Sequence, residues 1–403
     1  MPSTFSWLDY SDHERRKVLD VVELFGEKTT VDEIGIGSVR DAIADAWFPG
    51  TSTIQTTAKY FFLVPWTYLS LEHRSVGSDR IADYARKIEI KTIQALVDAG
   101  TKNGVIGRIA KESLQRLPSG VYWQGLLTWG IRRTDRSQDV YHRTIDSYYQ
   151  NAKAAKHRPS EFEGESLDAV QHNWDPELPP IPTGFPDGVA MDLTHEEASY
   201  LRHRIIHSCH GSLLASLAQE DIAIDGEPFV WELDLELSPK LQEHLEHGRL
   251  FSEVIHGAQL LYNIILAEMQ KWDEQIERFR ETWVRWAERM DQRRNQIQQW
   301  DLARFWTIVD EPLRRVSPTV KRFVEAWIQL VRSSNHAREL WDNNAARELI
   351  KIRERQIKKG LARVLGGRPL ELWSGESGSA QLDFRWRNTR RIYLDIQKGL
   401  QGS

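Results

Sequence analysis

Residues 265–290 carry the pattern that most limits what this chain can fold into. Ile265, Met269, Trp272, Ile276, Phe279, Trp283, Trp286 and Met290 recur at alternating spacings of four and three. That period builds one face of a helix, whereas a strand needs alternation every second residue. Most residues between them are Glu, Arg, Gln or Asp, as on the solvated side of a coiled-coil helix. Residues 251–300 are therefore expected to form one very long helix or two in series. The seam could pack on another helix of the chain or on a second subunit. Three tryptophans are bulky for a parallel dimer seam and favour an irregular intramolecular hairpin.

Helix punctuation continues along the chain, and strand alternation is scarce. Ser11-Asp12-His13-Glu14 is a capping box that predicts a helix to about Phe25, ended by Gly26. Ser38 and Asp41 suggest a second start, and Pro49-Gly50 a stop. Thr51, Ser52 or Thr53 can cap a third helix running through Phe62 and interrupted near Pro65. A helix over 79–99 should end at Gly100. Residues 107–117, Pro118-Ser119-Gly120 and 121–129 read as helix, turn, helix. Thr194-His195-Glu196-Glu197 is another capping box, with a helix to about Ala218. Ser317-Pro318 opens a helix to about Val331, residues 342–365 form a basic amphipathic helix, and the terminal segment suits one more. The expected class is mainly α and multi-helical, with a long heptad-patterned helix or helical hairpin in the C-terminal half. Residues 1–150 would form an N-terminal helical domain. Residues 151–190, rich in Pro, Gly and acids, read as a linker or long loop. Residues 191–335 would be a central domain with the long helix, and 336–403 a basic helical region.

Charge is unevenly placed. The net value of −5 hides eight basic against three acidic residues over 102–143, and eight against two over 347–368. Residues 158–197 hold ten acids against Arg158 alone. Sixteen tryptophans imply large buried side chains. The single cysteine, Cys209, excludes an intrachain disulfide and a cysteine-based zinc cluster. A reducing cytoplasm is the expected compartment. The first residues lack the features of a signal peptide, and no apolar stretch reaches the ~18 residues of a membrane span.

The motifs offer little chemistry. His203, His207 and His210 share a helical face, yet no metalloprotease carboxylate stands between them, so surface histidines are expected and no metal. Gly375-Glu376-Ser377-Gly378-Ser379 misses the last glycine of a nucleophile elbow. Pro49-Gly50-Thr51-Ser52 lacks the lysine of a phosphate loop. An anion or partner contact at Arg40, Gly50, Thr51, Ser52 and Gln55 remains a candidate, beside the use of those hydroxyls as helix caps. No catalytic residue and no cofactor are assigned. For nucleic acid, the helix starting Val121-Tyr122-Trp123 is too apolar to read bases. The better candidates are Lys351, Arg355, Lys358 and Lys359 on one face, with Arg363, Arg368, Arg385 and Arg387, interleaved with Phe384 and Trp386. An amphipathic helix that docks on the acidic middle domain of the chain itself is at least an equal alternative.

Four segments together have a family look: 5–11 (FSWLDYS), 35–56 (GIGSVRD and FPGTSTIQT), 117–123 (LPSGVYW) and 370–386 (LELWSG and LDFRW). Their combination resembles an uncharacterised bacterial domain-of-unknown-function family over the whole chain. The resemblance implies a component of an Azaca-type anti-phage defence system, beside helicase-like and phospholipase-D-like nuclease proteins. It implies a non-catalytic accessory subunit that binds partner protein, nucleic acid or both, without a membrane. The alternatives are an enzyme of the same system, with a site around Arg40, Asp41, Asp45 and the Thr51–Gln55 turn, and a structural homo-oligomer joined through 251–300.

Overall fold

The computed structural model describes residues 32–156, 172–310 and 315–402. In chain order the helices are α1 (Gly37–Trp47), α2 (Tyr60–His73), α3 (Ile81–Asp98), α4 (Pro118–Thr128), α5 (Gln138–Lys156), α6 (His195–Ser208), α7 (Leu213–Glu220) and α8 (Pro239–Gln270). They continue as α9 (Asp273–Gln292), α10 (Arg294–Gln299), α11 (Leu302–Val309), α12 (Pro318–Ser333), α13 (Asn344–Lys358), α14 (Arg368–Glu371) and α15 (Trp386–Leu400). Among the described residues there is no strand, only one antiparallel bridge between Arg132 and Trp174. The mainly α, multi-helical class is as expected. The N-terminal capping box, the helix toward Phe25 and the 5–11 block lie outside the described residues.

The chain divides into two units. The first takes the residues up to Ala44 with Ser238–Phe384, and the second takes Asp45–Leu237 with Arg385–Ser403. These cuts fall elsewhere than 150, 190 and 335. Of the expected linker, residues 172–190 pack into the second unit. Trp174, Leu178 and Val189 are buried, and Trp66 Nε1 donates to the Pro179 carbonyl at 2.8 Å.

In the first unit α8 forms the core, and α9 folds back along it as the second arm of a hairpin. The heptad stripe is not one continuous seam. Lys271 takes a left-handed conformation (φ 53°) after α8, so the stripe is cut between two antiparallel helices that face each other. Trp286 Nε1 donates to the Glu253 carbonyl at 2.9 Å, and its ring lies against Gly257, where only the missing Cβ leaves room. Trp327 of α12 donates likewise to Val254 at 2.9 Å. By length and composition α8 would suffice to cross a membrane, with a mean hydropathy of 1.3, contrary to expectation from the sequence. Yet the most apolar stretch of α8 is almost wholly buried inside the protein, as in a core helix.

Several expected boundaries shift for local reasons. The third helix starts at Tyr60, not after Thr53, because residues 50–57 are held by distant side chains instead of their own helix. Pro65 does not interrupt α2. The run from Tyr60 to Tyr68 is buried on all sides, and packing outweighs the roughly 3 kcal/mol that an interior proline costs. Only a single 3-10 turn, Lys111–Ser113, forms over 107–117, where Gly107 (φ 77°) and Lys111 (φ 48°) turn left-handed. Pro118 is instead the first residue of α4, so the helix–turn–helix reading falls. The Thr194/Glu197 capping box forms as expected, but α6 stops at Ser208 and Ser212 caps a separate α7. The basic helix ends at Lys358, followed by tight turns over Lys359–Leu361 and Arg363–Leu365.

Candidate functional site

In the second unit, three of the recognisable blocks converge on the turn 50–57. Gln55 closes it: its Nε2 donates to the Gly50 carbonyl at 3.1 Å, and its Oε1 accepts from Ser52 N at 3.1 Å. Thr51 Oγ1 donates to the Phe48 carbonyl at 2.7 Å. On one side, Gly125 of α4 lies so close that a Cβ would stand 2.4 Å from the Gly50 oxygen. From the same helix, the Tyr122 hydroxyl accepts from Thr56 N and Thr57 N at 2.8 and 3.1 Å. On the other side α15 grips the turn. Arg385 reaches Asp45 at 2.5 Å and the Thr51 carbonyl at 3.1 Å, and Asn388 donates to the Thr53 and Gln55 carbonyls at 2.8 and 3.0 Å. Thr51 and Gln55 are thus buried and committed to the scaffold, and the Thr51 hydroxyl, expected as a helix cap, serves the Phe48 carbonyl instead.

This rigid turn ends in one wall of an open groove of about 1080 Å³. Thr57 forms part of that wall, the loop 99–104 a second part, the loop 188–192 a third, and Arg391 and Asp395 of α15 the fourth. Gly100 (φ 82°) and Gly104 (φ 79°) permit the tight path of the 99–104 loop. Asp395 Oδ2 accepts from Ala58 N at 2.8 Å. Burial pushes the Asp395 carboxyl up to about 6, against that hydrogen bond and the nearby Arg391 charge. Beneath the groove, buried Lys59 bonds both Glu197 oxygens at 2.7 and 2.8 Å and the Asp192 carbonyl at 3.3 Å. The groove lining therefore offers one cation, Arg391, the carboxyls of Asp192 and Asp395, and much backbone.

Two buried carboxyls stand deeper in this unit. Glu89 accepts from Ser119 N at 2.8 Å and Ser119 Oγ at 2.7 Å at the start of α4; burial pushes it up to about 7. Glu72 accepts from Tyr141, Asn173 (3.1 Å) and Trp174 (2.9 Å), and burial again raises it. Both are buried with their oxygens hydrogen-bonded to neighbouring elements and read as structural anchors.

The first unit gathers the other candidates. Glu33 is buried and accepts from Lys358, from Arg363 at 2.6 Å and from Ser377. Burial alone would raise its pKa; Lys358, with Ser377 and Arg363, brings it below the usual value. Glu354, fully buried, accepts from Tyr262 at 2.7 Å and from Lys358 at 2.9 Å. So two of the expected nucleic-acid contacts, Lys358 and Arg363, turn inward. Lys351 and Arg355 pair with Glu348 at 3.0 and 3.6 Å, and Lys359 and Arg368 are exposed. Arg385 is the clamp described above, Arg387 lies in the first turn of α15, and Phe384 and Trp386 are buried, out of reach of a base. Arg40 pairs with the adjacent Asp41 at 3.0 Å. Arg40 and Asp41 belong to the first unit, whereas Asp45 and the Thr51–Gln55 turn belong to the second.

The near-elbow at 375–379 also has a structural use. Asn263, Gln259, His256 and Ser252 form a polar stripe on α8 that bonds the backbone of Ser377, Gly378, Ser379 and Leu382 at 2.7–3.0 Å. Burial lowers His256 to about 4, so it is neutral and donates Nε2–H to the Ser379 carbonyl. His203 and His207 stack in parallel on the surface, centroids 6.2 Å apart, and His210 lies past the helix end. No group of three metal-ligating side chains forms among the described residues.

Sequence reading missed Asp395, Asp192, Lys59, Glu89 and Glu33. The one faint signal was Asp395 as a lone acid between Arg391 and Lys398.

The model of a family of unknown function, DUF6361, matches residues 2–398. The chain belongs to DUF6361. No curated protein and no solved structure matches it.

Proposed function

We propose that this chain is a non-catalytic accessory subunit of an Azaca-type anti-phage defence complex in the bacterial cytoplasm. It binds partner protein, nucleic acid or both, and the chemistry sits on a helicase-like or phospholipase-D-like nuclease neighbour. The defence context comes from the sequence resemblance alone. The observation that carries the binding role is the groove of the second unit. It is wide and open, and its wall continues the turn on which the recognisable blocks converge. A rigid concavity lined by backbone groups and a few charges suits an extended polypeptide segment, because little conformational entropy is lost on the groove's side. The residues nominated for an enzyme site are used otherwise: Gln55 and Thr51 hold the turn, and Asp45 holds Arg385.

The test is co-purification from the native host, with the wild type and with Ala190→Trp, which fills the groove from an exposed position. A defined partner retained by the wild type and lost from the variant, with loss of phage protection, is expected. A wild-type chain that purifies alone, or a partner held equally by Ala190→Trp, would refute the groove's role. Nuclease or nucleotide hydrolysis by the isolated chain that Arg40→Ala and Gln55→Ala abolish would favour the enzyme alternative.

A further inference from the structure

The first unit displays six large apolar side chains on its surface among the described residues, and they are not scattered. Five of them, Ile352, Ile357, Leu361, Leu365 and Leu372, fall within 21 residues of chain, with Leu361 74%, Leu365 58% and Leu372 72% exposed. The sixth, Met269, ends α8 beside Gln270, whose side chain bonds the Leu370 carbonyl at 2.5 Å. Isolated exposed leucines are ordinary, but a concentration of this kind marks an interaction surface. Lys359 and Arg368 stand exposed in the same stretch, with Lys351 and Arg355 sharing the surface carboxylate Glu348, after Lys358 and Arg363 have turned in to Glu33. The backbone is open as well: a Cβ at Gly360, Gly366 or Gly367 would meet nothing within 4 Å.

We propose that residues 351–372 form a docking surface for an acidic, leucine-bearing amphipathic segment of a partner protein. The inference takes from the accessory-subunit reading only that a partner protein exists; it does not use the groove. Charge complementarity selects the acidic side of the occupant, and the exposed leucines and isoleucines select its apolar side. Nucleic acid fits less well. Stacking needs exposed aromatic faces, and Trp373, Phe384 and Trp386 are all buried. A second copy of this chain fits less well too, since a two-fold contact would set cation against cation. An anionic membrane would meet Glu348 and Glu371 among the cations, and the leucines sit on separate short turns, not on one amphipathic helix.

The experiment places a photo-crosslinking residue at Leu361 or Leu365 of the full chain in its native host, with Ile109 (89% exposed, on the other unit) as control. The crosslinked species is identified by mass spectrometry. The expected product is a protein peptide rich in Asp or Glu and Leu, at least tenfold above the Ile109 background. Both Leu361→Asp/Leu365→Asp/Leu372→Asp and Lys351→Glu/Arg355→Glu/Lys359→Glu/Arg368→Glu should remove it in second-site crosslinking from Ile352. Crosslinks to nucleic acid or lipid, a basic peptide, or none above control would overturn the proposal, as would loss with the charge variants only. A partner held by the groove and released by Ala190→Trp, with no crosslink here, would sink this surface and leave the accessory role standing.

Discussion

Glu89→Gln should remove a pH dependence from the stability of the second unit, so that the order of stability of the two proteins reverses between pH 4.5 and 8. The Glu89 carboxyl is buried and held up to about 7, against a usual value of 4.5. Its folded form therefore keeps a proton that the unfolded chain has released between those two values. The proton's contribution is fully present below about 4.5 and is lost as pH rises to about 7. At about 1.4 kcal/mol per pH unit, the wild type loses up to about 3 kcal/mol across that window. Glutamine removes the titration and keeps the shape. Its carbonyl can still accept from Ser119 N, and its amide can donate to Ser119 Oγ, which also accepts from Gln138 at 2.9 Å. The Ser119 hydroxyl proton then lacks its acceptor, a pH-independent loss of about 1 kcal/mol. Wild type should thus be the more stable at pH 4.5, and Glu89→Gln the more stable at pH 8. Denaturant unfolding of both proteins at each half pH unit, followed by circular dichroism, reads the gap. Shared groups such as Glu72 cancel in the difference. A gap that stays flat from pH 4.5 to 8 would refute the argument, because it would mean that Glu89 ionises alike in both states.

Three further outcomes follow from burial and close packing. Gly257→Ala sets a methyl 2.2–2.6 Å from the Trp286 ring and should lower stability by about 1–3 kcal/mol in thermal unfolding, whereas Gly120→Ala, whose nearest neighbours lie 3.9–4.0 Å away, should be neutral or stabilising by up to about 1 kcal/mol. Lys59→Met strands Glu197 and should destabilise by about 3–5 kcal/mol, and adding Glu197→Gln should restore part of that loss; a strictly additive double variant would deny their coupling. Burial pushes the Cys209 thiol up to about 12, so iodoacetamide at pH 8 should label it only after unfolding, and rapid labelling of the native chain would contradict its burial.

What the sequence disclosed was decided by the range of the forces involved. Caps are local, so Thr194/Glu197, Ser317-Pro318 and the Gly100 stop could be placed from neighbours alone. The turn 50–57 could not, because its amides are satisfied by Tyr122 and its carbonyls by Asn388 and Arg385, far away in sequence. Pro65 misled for the same reason: a proline penalty is local, while the burial that overrides it is tertiary. The heptad count was correct in period, but one left-handed residue at Lys271 converted a seam into a hairpin. The groove was invisible because its walls come from four segments, and none of its charged residues forms a pattern with its neighbours.

The same distinction governs how basic segments should be read. Eight cations over 347–368 suggested a polyanion surface, yet Arg353 bonds the Ile34 and Gly35 carbonyls, Arg347 pairs with Glu268, and Lys358 and Arg363 neutralise Glu33 and Glu354. The cations left on the surface, Lys351, Arg355, Lys359 and Arg368, are half of the eight, and the first two of them share Glu348. Phosphate binding scales with the number of cations that can reach the backbone, so halving that number weakens a polyanion reading by orders of magnitude in affinity. The apolar side chains are not reduced by any such pairing and stay exposed. What remains on this face is a modest positive charge around aliphatic groups, which supports the proposed protein segment over nucleic acid as its occupant.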